Sequence, residues 1–423
     1  MSAFGELPSS VVDSEGREFA LRDELSAGGQ GAVFRTQFST DLVKVLFDGN
    51  DAGQTIAQVR RMPLTGLSLA RPMSLLESTS GYTLQFQRDM DVVRSLKYAH
   101  IQSTRDWWVN SGGMKRRLWM AVRIASIFEQ LHARGLVYGD VSSRNIMAST
   151  DSSFDEVALI DLDNLSYVGE MEKSHLWTPQ YSAPEVAQAG EAFSFSSDSF
   201  SLAIVLFELL TSVHPFMDGM KVKQASTESA YFRTAEKNDV SSVLDKNTDN
   251  AVMSVPVQSF QDLIEPNLLE AFRLTFEEGR RSKTIRATAG RLRLLLVRAA
   301  LAVIDCEKCD WSYSRVIHLR CPDCDSRGTP LKLVLECSGV SSSGFEIWTN
   351  TREKSIDLAL LFPKLLKLEP VRGSYTIKVL EIGNRIRVLP INQNLIEVAR
   401  SVEEMEVAQV KGLGEIVLRV SRT

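Results

Sequence analysis

Lys44, Asp140, Asn145 and Asp161 are the side chains with the clearest chemical content in this sequence. Lys44 stands in Leu42-Val-Lys-Val45, the polar exception in an apolar run. It follows a glycine cluster, Leu25-Ser-Ala-Gly-Gly-Gln-Gly-Ala-Val33, set between two strand-like stretches. Such a turn can fold its backbone over a polyphosphate and offer N–H groups where side chains would obstruct. Asp140 and Asn145 lie five residues apart in Gly139-Asp-Val-Ser-Ser-Arg-Asn145, soon after Leu131-His-Ala-Arg-Gly135. Val157-Ala-Leu-Ile-Asp161 is an apolar run ending on a carboxylate, with Leu162 and Asp163 behind it. A cation for phosphates, oxygen ligands for Mg2+ and a carboxylate to orient an incoming hydroxyl are what metal-assisted phosphoryl transfer requires. Taken singly, each fragment also suits a hairpin turn or a loop of solvated acids; their order and spacing point to one site.

Two kinds of pattern must position these residues. From Arg17 to about Asp89 the reading is strand-like, at Glu18 to Leu25, Ala32 to Gln37, Leu42 to Phe47, Leu75 to Glu77 and Tyr82 to Gln87, with one helix over Ala52 to Met62. The period then changes: Leu118, Val122, Ala125, Phe128 and Leu131 recur every three or four residues and mark one helix face. Further helices are predicted at Phe200 to Leu210, Pro266 to Phe276 and Thr288 to Ile304, and the polar stretch Lys237 to Asn250 reads as a mobile loop. Strands return after Lys332, around a leucine-rich, helix-like stretch from Ile356 to Leu368. The predicted fold is α+β: an extension over 1–14, a β-rich N-lobe over 15–88, a helical C-lobe over 89–304, a cysteine module over 305–328 and a small mixed α/β, strand-rich module over 329–423 suited to docking, recruitment or dimerisation.

Residues 15 to 300 resemble the protein kinases. Ser26-Ala-Gly28-Gly29-Gln-Gly31-Ala-Val33 is similar to the glycine-rich loop, with Ser26 in place of its first glycine. Lys44 matches the phosphate-holding lysine, Tyr138-Gly-Asp140 the His-Arg-Asp triplet, Asn145 the second metal-binding residue and Asp161-Leu-Asp163 the Asp-Phe-Gly motif. Ala183-Pro-Glu185 is an intact Ala-Pro-Glu motif. Asp198 resembles the aspartate that opens a buried helix, and Arg286 or Arg281 is placed to pair with Glu185. Trp177 to Glu185 resembles the substrate-facing loop of serine/threonine kinases, in which Thr178 would hydrogen-bond Asp140. The resemblance implies a two-lobed fold and transfer of the ATP γ-phosphate to a protein hydroxyl. Lys44 would hold the phosphates, with Ser26, Gly28, Gly29, Gly31 and Val33 around the nucleotide. Asn145 and Asp161 would bind Mg2+, and Asp140 would act as the catalytic carboxylate. Gly139-Asp140 and Ile160-Asp-Leu-Asp163 also resemble aminoglycoside-type small-molecule phosphotransferases, but those lack the Ala-Pro-Glu segment and the Asp198 counterpart.

Four departures matter. Gly139 stands where regulated kinases carry an arginine that clamps a phosphorylated activation loop, which implies activity independent of that phosphorylation. Ser142 replaces the catalytic-loop lysine, leaving Arg144 or a substrate group to compensate. No glutamate occurs between Asp48 and Leu76, so Gln54 or Gln58 is the nearest neutral partner for Lys44, an arrangement that also suits a pseudokinase scaffold. Asp163 replaces a glycine and reads either as a solvated loop residue or as an added Mg2+ ligand.

None of the five cysteines precedes Cys306, and four form Cys306-x2-Cys309 and Cys321-x2-Cys324, the spacing of a structural Zn2+ site, with His318 as an alternative ligand and Cys337 as a buried strand residue. A kinase followed by such a ribbon resembles bacterial serine/threonine kinases encoded beside a von Willebrand A domain protein and a metal-dependent protein phosphatase. The chain is 423 residues long, too long for one ordinary core. The balance of 48 basic against 53 acidic residues gives a net charge of −5, which removes the global basic surplus that would drive nucleic-acid binding. Leu202 to Leu210 is too short to span a bilayer and carries Glu208, and Leu292 to Ile304 is broken by Arg293 and Arg298, so no membrane partner is expected. Clustered thiols without a framework of bridges fit a reducing cytoplasm.

Overall fold

The computed structural model describes residues 8–27, 31–47, 52–98, 103–170, 177–219, 240–245, 250–252, 256–337, 344–351, 353–362, 365, 375–382, 385–394, 396–402, 405–410 and 413–421. Alternating apolar residues fold the first part into an antiparallel sheet of β1 (Ser10–Val12), β2 (Glu18–Ala27), β3 (Gly31–Thr36), β4 (Asp41–Leu46), β5 (Pro72–Leu75) and β6 (Gly81–Gln85), in the order β1-β2-β3-β4-β6-β5. Val11, Phe19, Ala32, Phe34, Val43 and Val45 point into one small core. In the segment 1–14, expected as an extension, the described residues 8–14 supply an edge strand: Val11 pairs with Phe19 and is buried with it. Helix α1 (Ala52–Arg61) buries Ala52, Ile56 and Val59, one stripe at helical spacing.

The second lobe is organised by α3 (Gly113–Ala133), preceded by α2 (Thr104–Asn110), and by α5 (Phe195–Thr211), which follows the short α4 (Pro184–Ala187). Helix α5 starts at a reciprocal cap between Ser194 and Ser197, and every residue from Ser197 to Thr211 is buried. A helix apolar all round must run through the core. After α6 (Phe260–Leu263), α7 (Pro266–Phe276) brings Phe272 and Phe276 edge-on to Phe207 at ring distances of 5.5 and 5.7 Å, and α8 (Ala289–Ala302) lies along α3. Two small sheets carry the loops of interest: β7 (Met90–Val92), β9 (Ile146–Ser149) and β10 (Val157–Leu159) form one, β8 (Leu136–Val137) and β11 (Ser166–Tyr167) the other.

The expected mobile loop over Lys237 to Asn250 is corrected where it is described. Val240, Ser242 and Asn250 are buried, Arg280 donates to the Val240 carbonyl at 2.6 Å, and Asn250 donates to the Ser241 carbonyl at 2.8 Å. Polar side chains that satisfy main-chain groups can be buried, which composition alone does not reveal. Residues 237–239 and 246–249 lie outside the described residues.

The chain leaves α8 earlier than its apolar run suggests. Val303–Asp305 (β12) pairs with Ser312–Ser314 (β13), so the first cysteine knuckle hangs from a strand pair. Beyond it, β14 (Leu331–Cys337), β15 (Phe345–Thr349), β19 (Ile396–Val402), β20 (Met405–Val410) and β21 (Gly414–Ser421) make a sheet in the order β15-β14-β21-β20-β19. A second sheet has β16 (Glu353–Asp357), β17 (Thr376–Ile382) and β18 (Arg385–Pro390). Ile356 to Leu368 is not one helix. Ile356 and Asp357 complete β16, and Asp357 caps a single turn, α9 (Leu358–Leu361), by accepting from the Ala359 N–H. Residues 363–364 and 366–368 lie outside the described residues.

This terminal region shares its core with the helical lobe. Leu333, Leu335, Ile347 and Leu358 are fully buried in the same apolar cluster as Leu296 and Val297 of α8, and Arg293 donates to the Leu360 carbonyl at 3.0 Å. Ile347→Ala should therefore cost about 2–5 kcal/mol and lower one cooperative transition common to both regions, measured by calorimetry. Two separate transitions, with the larger unaffected, would show that the tail folds alone.

Candidate active site

Lys44 leaves β4 towards the second lobe and is almost fully buried. Its Nζ lies 2.8 Å from Asp161 Oδ1 and 2.6 Å from Asp163 Oδ2. Burial works against the ammonium, but the two carboxylates more than offset it, so the Lys44 pKa stands above its ordinary value. Tyr82, directly opposite Lys44 in the β4–β6 register, donates its hydroxyl to Asp163 Oδ1 at 2.5 Å. Of the two expected amide partners, Gln58 donates instead to the Leu165 carbonyl at 3.1 Å, and the second charge on Lys44 comes from Asp163. Asp163 is likewise neither solvated nor open as a metal ligand here. Each of its oxygens takes a protein donor, and its side chain is 7% exposed against 35% for Asp161.

Asp161 is brought to Lys44 by β10. Ser68 and Ala70, from the N-lobe, hold Leu159 by main-chain bonds of 3.0 and 2.8 Å, and the Ser68 hydroxyl donates to the Val157 carbonyl. Asp161 itself has φ +58°, a left-handed conformation that aspartate tolerates better than most residues.

The loop from Tyr138 to Asn145 hangs from α5. Asp198 accepts the Tyr138 and Gly139 N–H groups at 2.8 and 3.0 Å and lies 3.1 Å from His132 Nε2. The Tyr138 hydroxyl donates to the Ile160 carbonyl, linking this loop to the one carrying Asp161. Asn145 Nδ2 donates to the Asp140 carbonyl and to Asp140 Oδ2, both at 2.9 Å, which leaves its oxygen as the acceptor turned to other partners. The Thr178 N–H donates to Asp140 Oδ1 at 2.8 Å. Burial pushes the Asp140 carboxyl up, opposed by these bonds. A groove beside Asp140 is lined by Val141, Trp177, Thr178 and Tyr181.

The segment after Thr178 is clamped. Arg286, not Arg281, meets Glu185 in a two-pronged pair at 2.7 and 2.8 Å, and burial that would raise the Glu185 carboxyl is outweighed by those bonds, holding it below its ordinary range. Tyr181 donates to Glu208 Oε2 at 2.6 Å and lies 2.6 Å from the Ser143 hydroxyl, while Lys97 reaches Glu208 and Asp218. Neither this network nor Tyr82 had a sign in the local sequence, since only strand register and helix packing bring the partners together. On the nucleotide side Ser26 pairs with Val33, and a Cβ on Gly31 would meet the Val45 carbonyl at 2.2 Å. Gly28 and Gly29 lie outside the described residues. Ser142 is fully buried and Arg144 exposed.

Residues 85–279 match the protein kinase domain family. The match begins at the end of β6, so most of the N-lobe sheet, Lys44 included, lies outside it. The chain is 30% identical over 118 residues to cGMP-dependent protein kinase 2 of Mus musculus, which covers 27% of this chain and 15% of that protein. It is 30% identical over 107 residues to rhodopsin kinase GRK1 of Rattus norvegicus (24% and 18%) and 32% identical over 102 residues to protein kinase C delta type of Rattus norvegicus (24% and 15%). The chain thus spans less than one fifth of the length of these relatives. Among the described residues no helix is long and apolar enough to cross a membrane.

Beyond the matched residues, Cys306, Cys309, Cys321 and Cys324 converge, with all four sulfurs within 4.8 Å of one another. The two knuckles repeat one geometry: Asp310 N–H bonds the Cys306 carbonyl and Asp325 N–H the Cys321 carbonyl, each at 2.9 Å, with both aspartates at positive φ. His318 is not in the cluster, because its Nε2 donates to the Asp262 carbonyl at 2.8 Å. Cys337 is a half-buried residue of β14.

The Gly139 departure has a steric basis. Its φ is +88°, and a Cβ there would meet the Phe193 ring at 2.9 Å and Asn164 Cβ at 3.2 Å. Gly139→Ala should lower stability by about 1–3 kcal/mol in thermal denaturation. Gly139→Arg should destabilise further without making activity depend on phosphorylation.

Proposed function

We propose that this chain is an ATP- and Mg2+-dependent serine/threonine protein kinase. The observation that carries the reading is the convergence of Lys44, Asp161, Asn145 and Asp140 around one cleft, with Asp140 held by Asn145 and Thr178. Lys44 would hold the nucleotide phosphates, and the β2–β3 turn with Ser26, Gly28, Gly29, Gly31 and Val33 would cover them. Asn145 and Asp161 fit a hard cation by donor type: the Asn145 amide is anchored through its nitrogen, and Asp161 gives one oxygen to Lys44 and stays partly exposed. Mg2+, when bound, supplies neutralisation of phosphate charge. Asp140 would orient the acceptor hydroxyl and take its proton. The clamped Trp177 to Glu185 segment beside this carboxylate favours a protein acceptor over a small molecule, and the closed Gly139 position supports activity independent of activation-segment phosphorylation.

The cysteine cluster suits structural Zn2+. Four thiolates at zinc–sulfur distances of about 2.3 Å lie roughly 3.8 Å apart in a tetrahedron, and the measured pairs Cys306–Cys324 and Cys309–Cys321 are 3.6 and 3.5 Å. The order of kinase and ribbon supports a place in bacterial cytoplasmic signalling, with a von Willebrand A domain protein as substrate and a metal-dependent protein phosphatase as its counterpart.

Purified protein given labelled ATP and Mg2+ should phosphorylate itself or a protein acceptor, and Asp140→Ala and Asp161→Ala should each lower the rate by about a hundredfold or more. ATP binding without transfer would instead mark a pseudokinase scaffold. Elemental analysis should find one Zn2+ per chain, and Cys321→Ser should lose it together with thermal stability; reduced protein without metal would defeat the zinc assignment.

A further inference from the structure

Were Asp161 to give its carboxylate to a metal ion, the buried Lys44 would need a second one to stay with it. Helix α1 offers none: its first turn has no acid, and its Gln58 is spent on the Leu165 main chain. We propose that Asp163, fixed by Tyr82, is the positioning residue of Lys44, and that assembly of this site is therefore uncoupled from the position of α1.

Three observations carry it. Asp163 makes the shorter of the two Lys44 contacts, 2.6 Å against 2.8 Å, and is the more buried acid. Its other oxygen is held by the Tyr82 hydroxyl, so the carboxylate is oriented at both ends. Tyr82 and Lys44 are directly paired on adjacent strands and share a sheet face, with Nζ 5.9 Å from the ring centre. Lys44, Tyr82 and Asp163 thus form a unit in which one strand pair and one loop residue suffice. Asp161, with more than a third of its side chain exposed, keeps one oxygen for the cleft. A glycine in place of Asp163 would leave Lys44 with Asp161 as its sole carboxylate among the described contacts.

The inference rests on the reading of Lys44 as the phosphate-holding residue, and one readout is chosen to be independent of catalysis. In full-length, nucleotide-free protein, acylation of Lys44 by acetic anhydride, followed by mass spectrometry, should rise about tenfold in Asp163→Asn, as expected when a buried cation loses one partner. It should rise less in Tyr82→Phe, which keeps the ring, and stay at the wild-type level in Gln54→Ala/Gln58→Ala. In the kinase assay, Asp163→Asn should lower kcat by about tenfold or more while the α1 variant stays within about twofold. Adding Gln58→Glu to Asp163→Gly should not restore the rate. Unchanged Lys44 labelling in folded Asp163→Asn would overturn the positioning role. A loss in the α1 variant as large as that in Asp163→Asn, or rescue by Gln58→Glu, would overturn the uncoupling. Changed labelling in a protein that transfers no phosphate would leave the positioning intact and remove the kinase reading.

Discussion

The contact of Lys44 with Asp161 and Asp163 is the interaction on which the arrangement of the two lobes turns. A lysine taken out of water this completely is tolerated only with charge beside it, so the strand that carries it and the loop that answers it must meet within a few tenths of an ångström. The sheet fixes one side, since β4 is paired on both edges, by β3 and β6. The other side is fixed where Ser68 to Ala70 crosses from the N-lobe and adds a parallel bridge to β10, ending two residues before Asp161. Two acids on one lysine leave a residual negative charge, beside Asp161, the more exposed of the two carboxylates.

The loop bearing Asp140 is held by the complementary device, a buried acid gripping main-chain donors. Asp198 sits in the first turn of α5, which is buried from Ser197 to Thr211, and accepts two consecutive N–H groups, so a loop with no regular structure inherits the rigidity of α5. Glu185 does the same for the following segment through Arg286, whose guanidinium also lies over the Phe200 ring. Gly139 belongs to this set. Its positive φ lets both N–H groups turn towards Asp198, and Phe193 fills the space a longer side chain would need. The absence of arginine is thus built into the packing rather than a single replaceable difference.

These relations explain what the sequence disclosed. Residues that act through their own type and a fixed local spacing, such as Asp140 with Asn145 or the two cysteine knuckles, were legible because a loop of a few residues can present them in few ways. Helix α3 and strands β2 to β4, β6, β14, β15, β17, β18 and β21 were legible from period; the short strands β7 to β9 and β11 to β13 were not. Tyr82 was not, because its importance comes from standing opposite Lys44, a matter of register. Asp163 was visible as an anomaly, but whether its carboxylate faced water, metal or lysine depended on a tertiary contact 119 residues away in sequence. The buried turn around Val240 and Asn250 was misread for the same reason: polar composition predicts exposure only while no partner for those groups is known.

The cysteine module shows why the terminal region is part of the helical lobe in energetic terms. A segment of 305–328 is too small to bury a core of its own, and here it lies between larger bodies. Trp311 stacks obliquely near Trp108 of α2 at 6.3 Å, Ser312 takes the Met114 N–H at the start of α3, and Arg105 meets Asp323 at 2.9 Å. Asn350, just past β15, donates to the Asp305 carbonyl immediately before Cys306. Whatever free energy a metal contributes on closing the four thiols is therefore felt at the first turns of α3 and at the tail sheet together. Since α3 packs against α5, whose Asp198 holds the loop from Tyr138 to Asn145, the cysteine module and that loop draw on the same core.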